Sequence, residues 1–98
     1  MKSVKECNKS LVHDNKDDLL KIMSKYGITE AIFYFSLVKI NLYTNIEDYL
    51  ERHKLCDEIK RFFINKYKVS FMLENVLPIS FYGYEIELPE SDECILFK

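Results

Sequence analysis

Residues 28–43 read I-T-E-A-I-F-Y-F-S-L-V-K-I-N-L-Y and form the most apolar stretch of this 98-residue chain. Between positions 31 and 43 only Ser36, Lys39 and Asn41 are plainly polar. The neighbouring segments carry one apolar face each, and this run is the natural partner for those faces. Whether the run is a helix or a strand therefore decides the fold.

Two patterns compete within this run. A strand is favoured by its β-branched and aromatic residues and by the period-two alternation of its second half. A helix is favoured by its length, because strands usually run about 4–8 residues, and by a narrow polar stripe that includes Ser36 and Lys39. Gly27 suits the position that closes a preceding helix, and Thr29 suits the N-cap of a new one. We predict a helix, with a strand over 33–42 as the alternative.

The composition is that of one folded, slightly acidic domain spanning residues 1–98. Hydrophobic residues make up 48% of the chain and charged residues 31%, and the formal net charge is −2. This balance argues against a nucleic-acid binder and allows an acidic face directed at a basic partner. No stretch reaches the ~18 apolar residues of a membrane span, and no signal peptide is recognised. We therefore expect no membrane contact and a cytoplasmic location.

Two further features concern the origin of the chain. Its three cysteines, Cys7, Cys56 and Cys94, are far apart and odd in number, so we expect free thiols in a reducing cytosol. Lys, Asn, Ile, Tyr and Phe are abundant while Gly and Pro are scarce, and the abundant residues have AT-rich codons. By association, this composition indicates an AT-rich bacterial, phage or viral genome.

The N-terminal third is predicted to be helical in part. Residues 1–14 are expected to form either a short helix capped by Ser3 or a flexible or docking arm. Residues 15–26 show one apolar stripe, with Asp17 and Asp18 in the first turn, where the helix dipole favours negative charge. We predict a helix there, ended by Gly27.

The clearest helical pattern follows the central run. Thr44 and Glu47 have the spacing of a capping box, and the apolar residues after them recur at helical intervals. The sequence therefore predicts a helix over 46–65. Its predicted buried residues include Tyr49, Leu50 and Ile59.

From Val69 onward the apolar period changes to two, which is typical of strands. Gly83 lies where the alternation changes phase, so a bulge or bend is expected there. A last strand is predicted over 93–97. The predicted fold class is α+β, with two to three N-terminal helices packed on a C-terminal antiparallel sheet of about three strands.

Residues 19–40 have the sequence pattern of a helix-turn-helix, with Gly27 between two predicted helices. A recognition helix must present polar side chains to base edges. Here Glu30 is followed by an apolar run, which favours a plain helical hairpin. We expect no direct contact with nucleic acid, and a transcriptional regulator using residues 19–40 is the alternative function.

His53 and Cys56 lie at i, i+3 on one predicted helical face and could contribute to a zinc site or to a nucleophile–base pair. No second close ligand pair accompanies them, so a half-buried histidine beside a buried thiol is the expected arrangement. With glycines only at 27 and 83, a phosphate-binding loop is excluded. We predict no cofactor, no metal and no catalytic residue, and a small metalloprotein or enzyme using this pair is the second alternative.

The C-terminal third is the one segment with one-sided chemistry, because no Lys or Arg lies between Lys68 and Lys98. Tyrosines are enriched at protein interfaces, and patches of one charge sign steer association. The sequence predicts a small cytosolic protein-binding module, of the inhibitor or immunity type found in phages and mobile elements, whose partner has a basic surface. A homodimer, for example through residues 28–43, is left open. The predicted partner-binding residues are Tyr82, Tyr84, Glu85, Glu87, Glu90 and Asp92.

Overall fold

The computed structural model describes residues 3–36, 39–68, 73–79 and 93–97. In these residues the chain forms three helices and four strands, so the predicted α+β class is confirmed. The elements, in chain order, are α1 (Val4–Asp14), α2 (Lys16–Ser24), β1 (Ala31–Phe35), β2 (Ile40–Thr44), α3 (Tyr49–Tyr67), β3 (Leu73–Pro78) and β4 (Cys94–Phe97).

The strands form one mixed sheet with the order β3-β2-β1-β4. Strand β1 pairs antiparallel with β2 and with β4, whereas β3 runs parallel to β2. Parallel neighbours need a long crossover, and α3 supplies it between β2 and β3. The described sheet is therefore mixed, and it has four strands, two from the C-terminal third, as predicted, and two from the central run. The predicted bend at Gly83 lies outside the described residues.

The central run is a β-hairpin, so the predicted helix is wrong, and the alternative single strand over 33–42 spans its turn. Phe33 pairs with Leu42 and Phe35 with Ile40, and Ser36 and Lys39 close the turn through the Ser36 amide and the Lys39 carbonyl at 2.9 Å. Each strand has five residues, an ordinary strand length. The length argument failed because two strands joined by a short turn are as long as one helix.

The start of the hairpin shows why its helix signals were misleading. Gly27 has φ +69, the left-handed conformation in which glycine carries no Cβ penalty, and it does end the preceding helical segment. Thr29 does not cap a helix. Its hydroxyl accepts a hydrogen bond from the Asn45 side-chain amide at 2.7 Å, and its backbone N–H donates to the Asn45 side-chain oxygen at 3.3 Å. This pair ties the entry of β1 to the exit of β2.

The N-terminal residues form a helix and not an arm, with Ser3 as the predicted cap: its side chain accepts from the Glu6 backbone N–H at 3.2 Å. Asn15 separates α1 from α2 and is buried. Its side-chain nitrogen donates to the Leu11 carbonyl and the Tyr67 hydroxyl, each at 2.8 Å, and its side-chain oxygen accepts from the Lys66 ammonium. Asn15 therefore locks the α1–α2 corner to the end of α3, because its buried amide is hydrogen-bonded on both sides.

Helix α3 begins three residues later than predicted. Thr44 ends β2 and is fully buried, so the Thr44–Glu47 capping box does not form. Asp48 is the N-cap instead, and its carboxylate accepts from the backbone N–H groups of Leu50 and Glu51. The shifted start leaves Leu50, 66% exposed, on the surface, contrary to the prediction.

Tyr49 is likewise wrongly predicted as buried, since it is 67% exposed, whereas the predicted burial of Ile59 is confirmed. The core lies between one face of the sheet and the three helices. Its sheet side includes Phe33, Phe35 and Leu42, all of which are buried. The helix side consists of Val12, Leu19, Met23, Leu55, Cys56, Ile59 and Phe63.

Candidate functional site

The six predicted partner-binding residues, which are Tyr82, Tyr84, Glu85, Glu87, Glu90 and Asp92, lie outside the described residues. The acidic run that contains them continues to Glu93, which is described. The Glu93 side chain is 51% exposed and directly precedes β4. The described end of the acidic run is therefore at the protein surface.

Hydrogen bonding holds the Glu93 carboxylate in its charged form. The Tyr34 hydroxyl donates to it at 2.8 Å, and the Lys5 ammonium lies 3.6 Å from it. These contacts, the tyrosine hydrogen bond foremost, lower the pKa of Glu93 from its ordinary value. The same hydrogen bond raises the pKa of Tyr34, so the phenol stays protonated and remains a donor. The negative charge at this point is thus maintained, and it connects the edge strand to α1.

His53 and Cys56 both belong to α3, but the first is exposed and the second is buried. The His53 side chain is exposed, and its ring stacks on Tyr49 with 6.0 Å between ring centroids and 20° between planes. Cys56 is buried in the core, and burial raises the pKa of its thiol. A thiol with a raised pKa is mostly protonated at neutral pH and is a poor nucleophile.

The helix-turn-helix reading of residues 19–40 lacks its second helix. Residues 31–35 are the central strand β1 and residues 40–44 are β2. The side chains that a recognition helix would present belong here to a sheet, with Ile32, Phe33 and Phe35 all buried. The hydrophobic content that argued against base contacts also explains why this segment became the sheet centre.

Two observations concern metals and membranes. Among the side chains that the structure describes, no group of three or more His, Cys, Asp or Glu residues is placed to hold a metal ion. Within the same parts of the chain, no helix combines the length and the apolar character that crossing a membrane requires.

A surface that the sequence analysis missed lies on the outer side of α3. Six positions with alternating spacings of three and four residues form an outer stripe along the helix, beside its buried face. The members of the outer stripe are Leu50, His53, Asp57, Lys60, Ile64 and Tyr67. Three of them are large apolar residues near the two helix ends, with exposures of 66% for Leu50, 44% for Ile64 and 36% for Tyr67.

The sequence contained the signal for this stripe, since its spacing is that of the a and d positions of a heptad. It was overlooked because Leu50 was counted with the buried face. A helix that begins at Tyr49 and not at Ile46 keeps the same residues on the same faces, but its first turn lies beyond the edge of the core. Leu55, five residues after Leu50, is the first fully buried side chain of α3.

A groove of about 580 Å³ lies where the end of α2 meets the start of β1. Its walls are mainly apolar and include Leu20, Ile28 and Phe97, and charged side chains of both signs, Lys21 and Glu30, stand among them. The volume is within the ordinary range of small-molecule pockets, roughly 300–1,000 Å³. The two opposite charges do not favour one ligand charge over the other.

Comparison with known proteins gives no relative for this chain: no protein-family model, no curated protein and no solved structure matches it.

Proposed function

We propose that this protein is a small protein-binding module that acts in the cytosol without chemistry of its own. In its sharper form the proposal is an inhibitor or immunity-type protein of a phage or other mobile element. It binds a basic surface of its partner through the acidic, tyrosine-bearing segment that runs from Tyr82 to Asp92.

The observation that carries the proposal is the one-sided charge of the C-terminal third. Four acids lie at Glu85, Glu87, Glu90 and Asp92, and no Lys or Arg is present between Lys68 and Lys98 to balance them. A field of one sign raises the rate at which an oppositely charged partner is found. Two nearby tyrosines supply the amphipathic contact area that interface cores favour.

The described residues support this reading at two points. Glu93 continues the acidic run, and its carboxylate is exposed and held ionised by its hydrogen bond from Tyr34. The buried thiol of Cys56, with its raised pKa, supports action by binding over nucleophilic catalysis.

The test begins by capturing the partner from the source cell and purifying the complex. Association is then followed at several salt concentrations for the parent and for a variant with Glu85→Gln, Glu87→Gln, Glu90→Gln and Asp92→Asn. We expect the association rate of this variant to fall by roughly tenfold or more at low salt, because long-range steering is removed. The salt dependence of the rate should flatten for the same reason.

The control variant removes four exposed acids elsewhere, through Glu6→Gln, Asp14→Asn, Asp17→Asn and Glu47→Gln. It changes the net charge equally, so it separates a local surface from a net-charge effect. Equal slowing of association by both variants would refute a binding site in the C-terminal segment. Tyr82→Ala and Tyr84→Ala should act mainly on the dissociation rate, because they remove contact area and leave the charge unchanged.

A further inference from the structure

We propose that a second copy of this chain docks on the outer stripe of α3, so that the two α3 helices pair antiparallel around a two-fold axis. This surface consists of other residues than the acidic C-terminal segment, and the dimer does not depend on the function proposed above. The argument rests on helical spacing, on exposure and on charge.

The spacing gives the outer stripe the form of a helix-pairing seam. Positions 50, 53, 57, 60, 64 and 67 alternate in steps of three and four, which keeps them in line along an α-helix. From the first to the last of them the helix rises about 25 Å. The seam therefore extends over nearly the whole 19-residue length of α3.

A two-fold axis placed between Asp57 and Lys60 gives every member of the stripe a partner in the second copy. Asp57 of one copy faces Lys60 of the other, and symmetry repeats this ion pair. Leu50 then faces Tyr67, and His53 faces Ile64. The isologous pairing thus joins apolar residues at both ends and opposite charges at the centre.

The central charges of the stripe select the antiparallel orientation. In a parallel pair Asp57 would face Asp57 of the second copy and Lys60 would face Lys60, so like charges would meet at the centre. The antiparallel pair joins Asp57 to Lys60 twice and also opposes the two helix dipoles.

The backbone at the start of the stripe and the Tyr67 ring at its end are held in position before any partner arrives. The cap by Asp48 fixes the first turn, and an Arg52 side-chain N–H donates to the Ile46 carbonyl at 2.9 Å and also to the Glu47 carbonyl. At the other end, Tyr67 stacks on buried Phe63 with 6.0 Å between ring centroids. The Tyr67 ring, already ordered by this contact, loses little entropy on docking.

The size of the surface predicts a weak dimer. Stable interfaces bury about 1,200–2,000 Å² in total, and a single pair of helices about 25 Å long falls short of that range. We therefore expect the full chain to be monomeric at low micromolar concentration and increasingly dimeric towards the high micromolar range. Sedimentation velocity and equilibrium runs over that range measure the dissociation constant.

Charge variants test the symmetric pair directly. Asp57→Lys gives a chain with two cations at the centre of the seam, and Lys60→Asp gives a chain with two anions. Each variant alone should dimerise at least ~10-fold more weakly than the parent, because like charges then meet at the axis. An equimolar mixture of the two should form a heterodimer, and the double variant should regain the parent's affinity.

The matched controls are on α2, where Asp17→Lys and Leu20→Lys introduce the same changes at exposed positions. We expect them to leave the dissociation constant unchanged, whereas Leu50→Lys should raise it at least ~10-fold. Thermal unfolding followed by circular dichroism verifies that each variant is folded. If the parent stays monomeric at every concentration measured, the proposal is wrong, and the partner of the outer stripe would have to be a different protein. A dimer that ignores the α3 changes, or no heterodimer from the mixture, overturns it as well.

Discussion

Leu50 and Leu55 lie on the same helix and differ in burial. The same substitution at both positions therefore measures how much burial in the core contributes to the free energy of unfolding. Leu55 is fully buried, whereas Leu50 is 66% exposed. Replacement by alanine removes the same three carbon atoms in both cases. The difference between the two variants therefore reports chiefly the burial of Leu55 and the cavity that its truncation leaves.

The expected magnitude follows from the area removed from water. At about 0.8 kcal/mol per buried methylene, the three carbons of Leu55 are worth about 2.4 kcal/mol, and the cavity left behind adds to this. We therefore expect Leu55→Ala to lower the free energy of unfolding by about 3–4 kcal/mol. For Leu50→Ala, only about a third of the side chain is buried, and the loss should stay below about 1 kcal/mol.

Urea unfolding followed by circular dichroism measures both losses. The runs belong at low micromolar concentration, where the proposed α3 pairing does not contribute to the stability of the parent. With a denaturant slope of about 1–3 kcal/mol per molar urea, the Leu55 midpoint should move by roughly 1–4 M. A Leu50→Ala loss equal to or greater than that of Leu55→Ala would refute the assigned helix start and the exposed outer stripe together.

Two further predictions concern acid stability and the end of α3. The Lys25 ammonium and the Tyr26 hydroxyl both contact Glu58, and the ammonium above all lowers the pKa of that carboxyl below its ordinary 4.5. The stabilisation is therefore present above pH 4.5 and is lost as the pH falls through the lowered pKa. Glu58→Gln should lower the free energy of unfolding at neutral pH, and the unfolding curves of parent and variant should converge in acid. A difference in unfolding free energy that does not change with pH would contradict an ionic contribution. Lys68 has φ 59 in the left-handed region, so Lys68→Gly should raise the free energy of unfolding by about 0.5–1 kcal/mol in urea titrations. Lys68→Ala, which keeps a Cβ at this position, should not, and equal effects of the two would show that no backbone strain is relieved.

What the sequence determined by itself is the set of features that depend on neighbours along the chain. The cap at Ser3, the stop at Gly27 and the last strand near residues 93–97 all follow from local chemistry. The periodic pattern of residues 46–65 predicts a helix there for the same reason, and its core position at Ile59 is correct. Such features are readable because a helical or extended repeat depends on the order of residues alone.

Tertiary structure decided where long-range contacts choose between local alternatives. The run 31–44 contains residues acceptable to helix and strand, and it became two central strands because β4 and β3 add to either side of the hairpin. Asn15 is the N-cap residue of α2, yet its side chain makes no cap hydrogen bond there and instead bonds Tyr67 and Lys66, some fifty positions away in the chain. Leu50 fits the apolar spacing of an amphipathic helix but lies beyond the edge of the core, because α3 is capped by Asp48 and Leu50 belongs to its first turn. A local pattern specifies which residues share a face, and only the packed molecule specifies what that face meets.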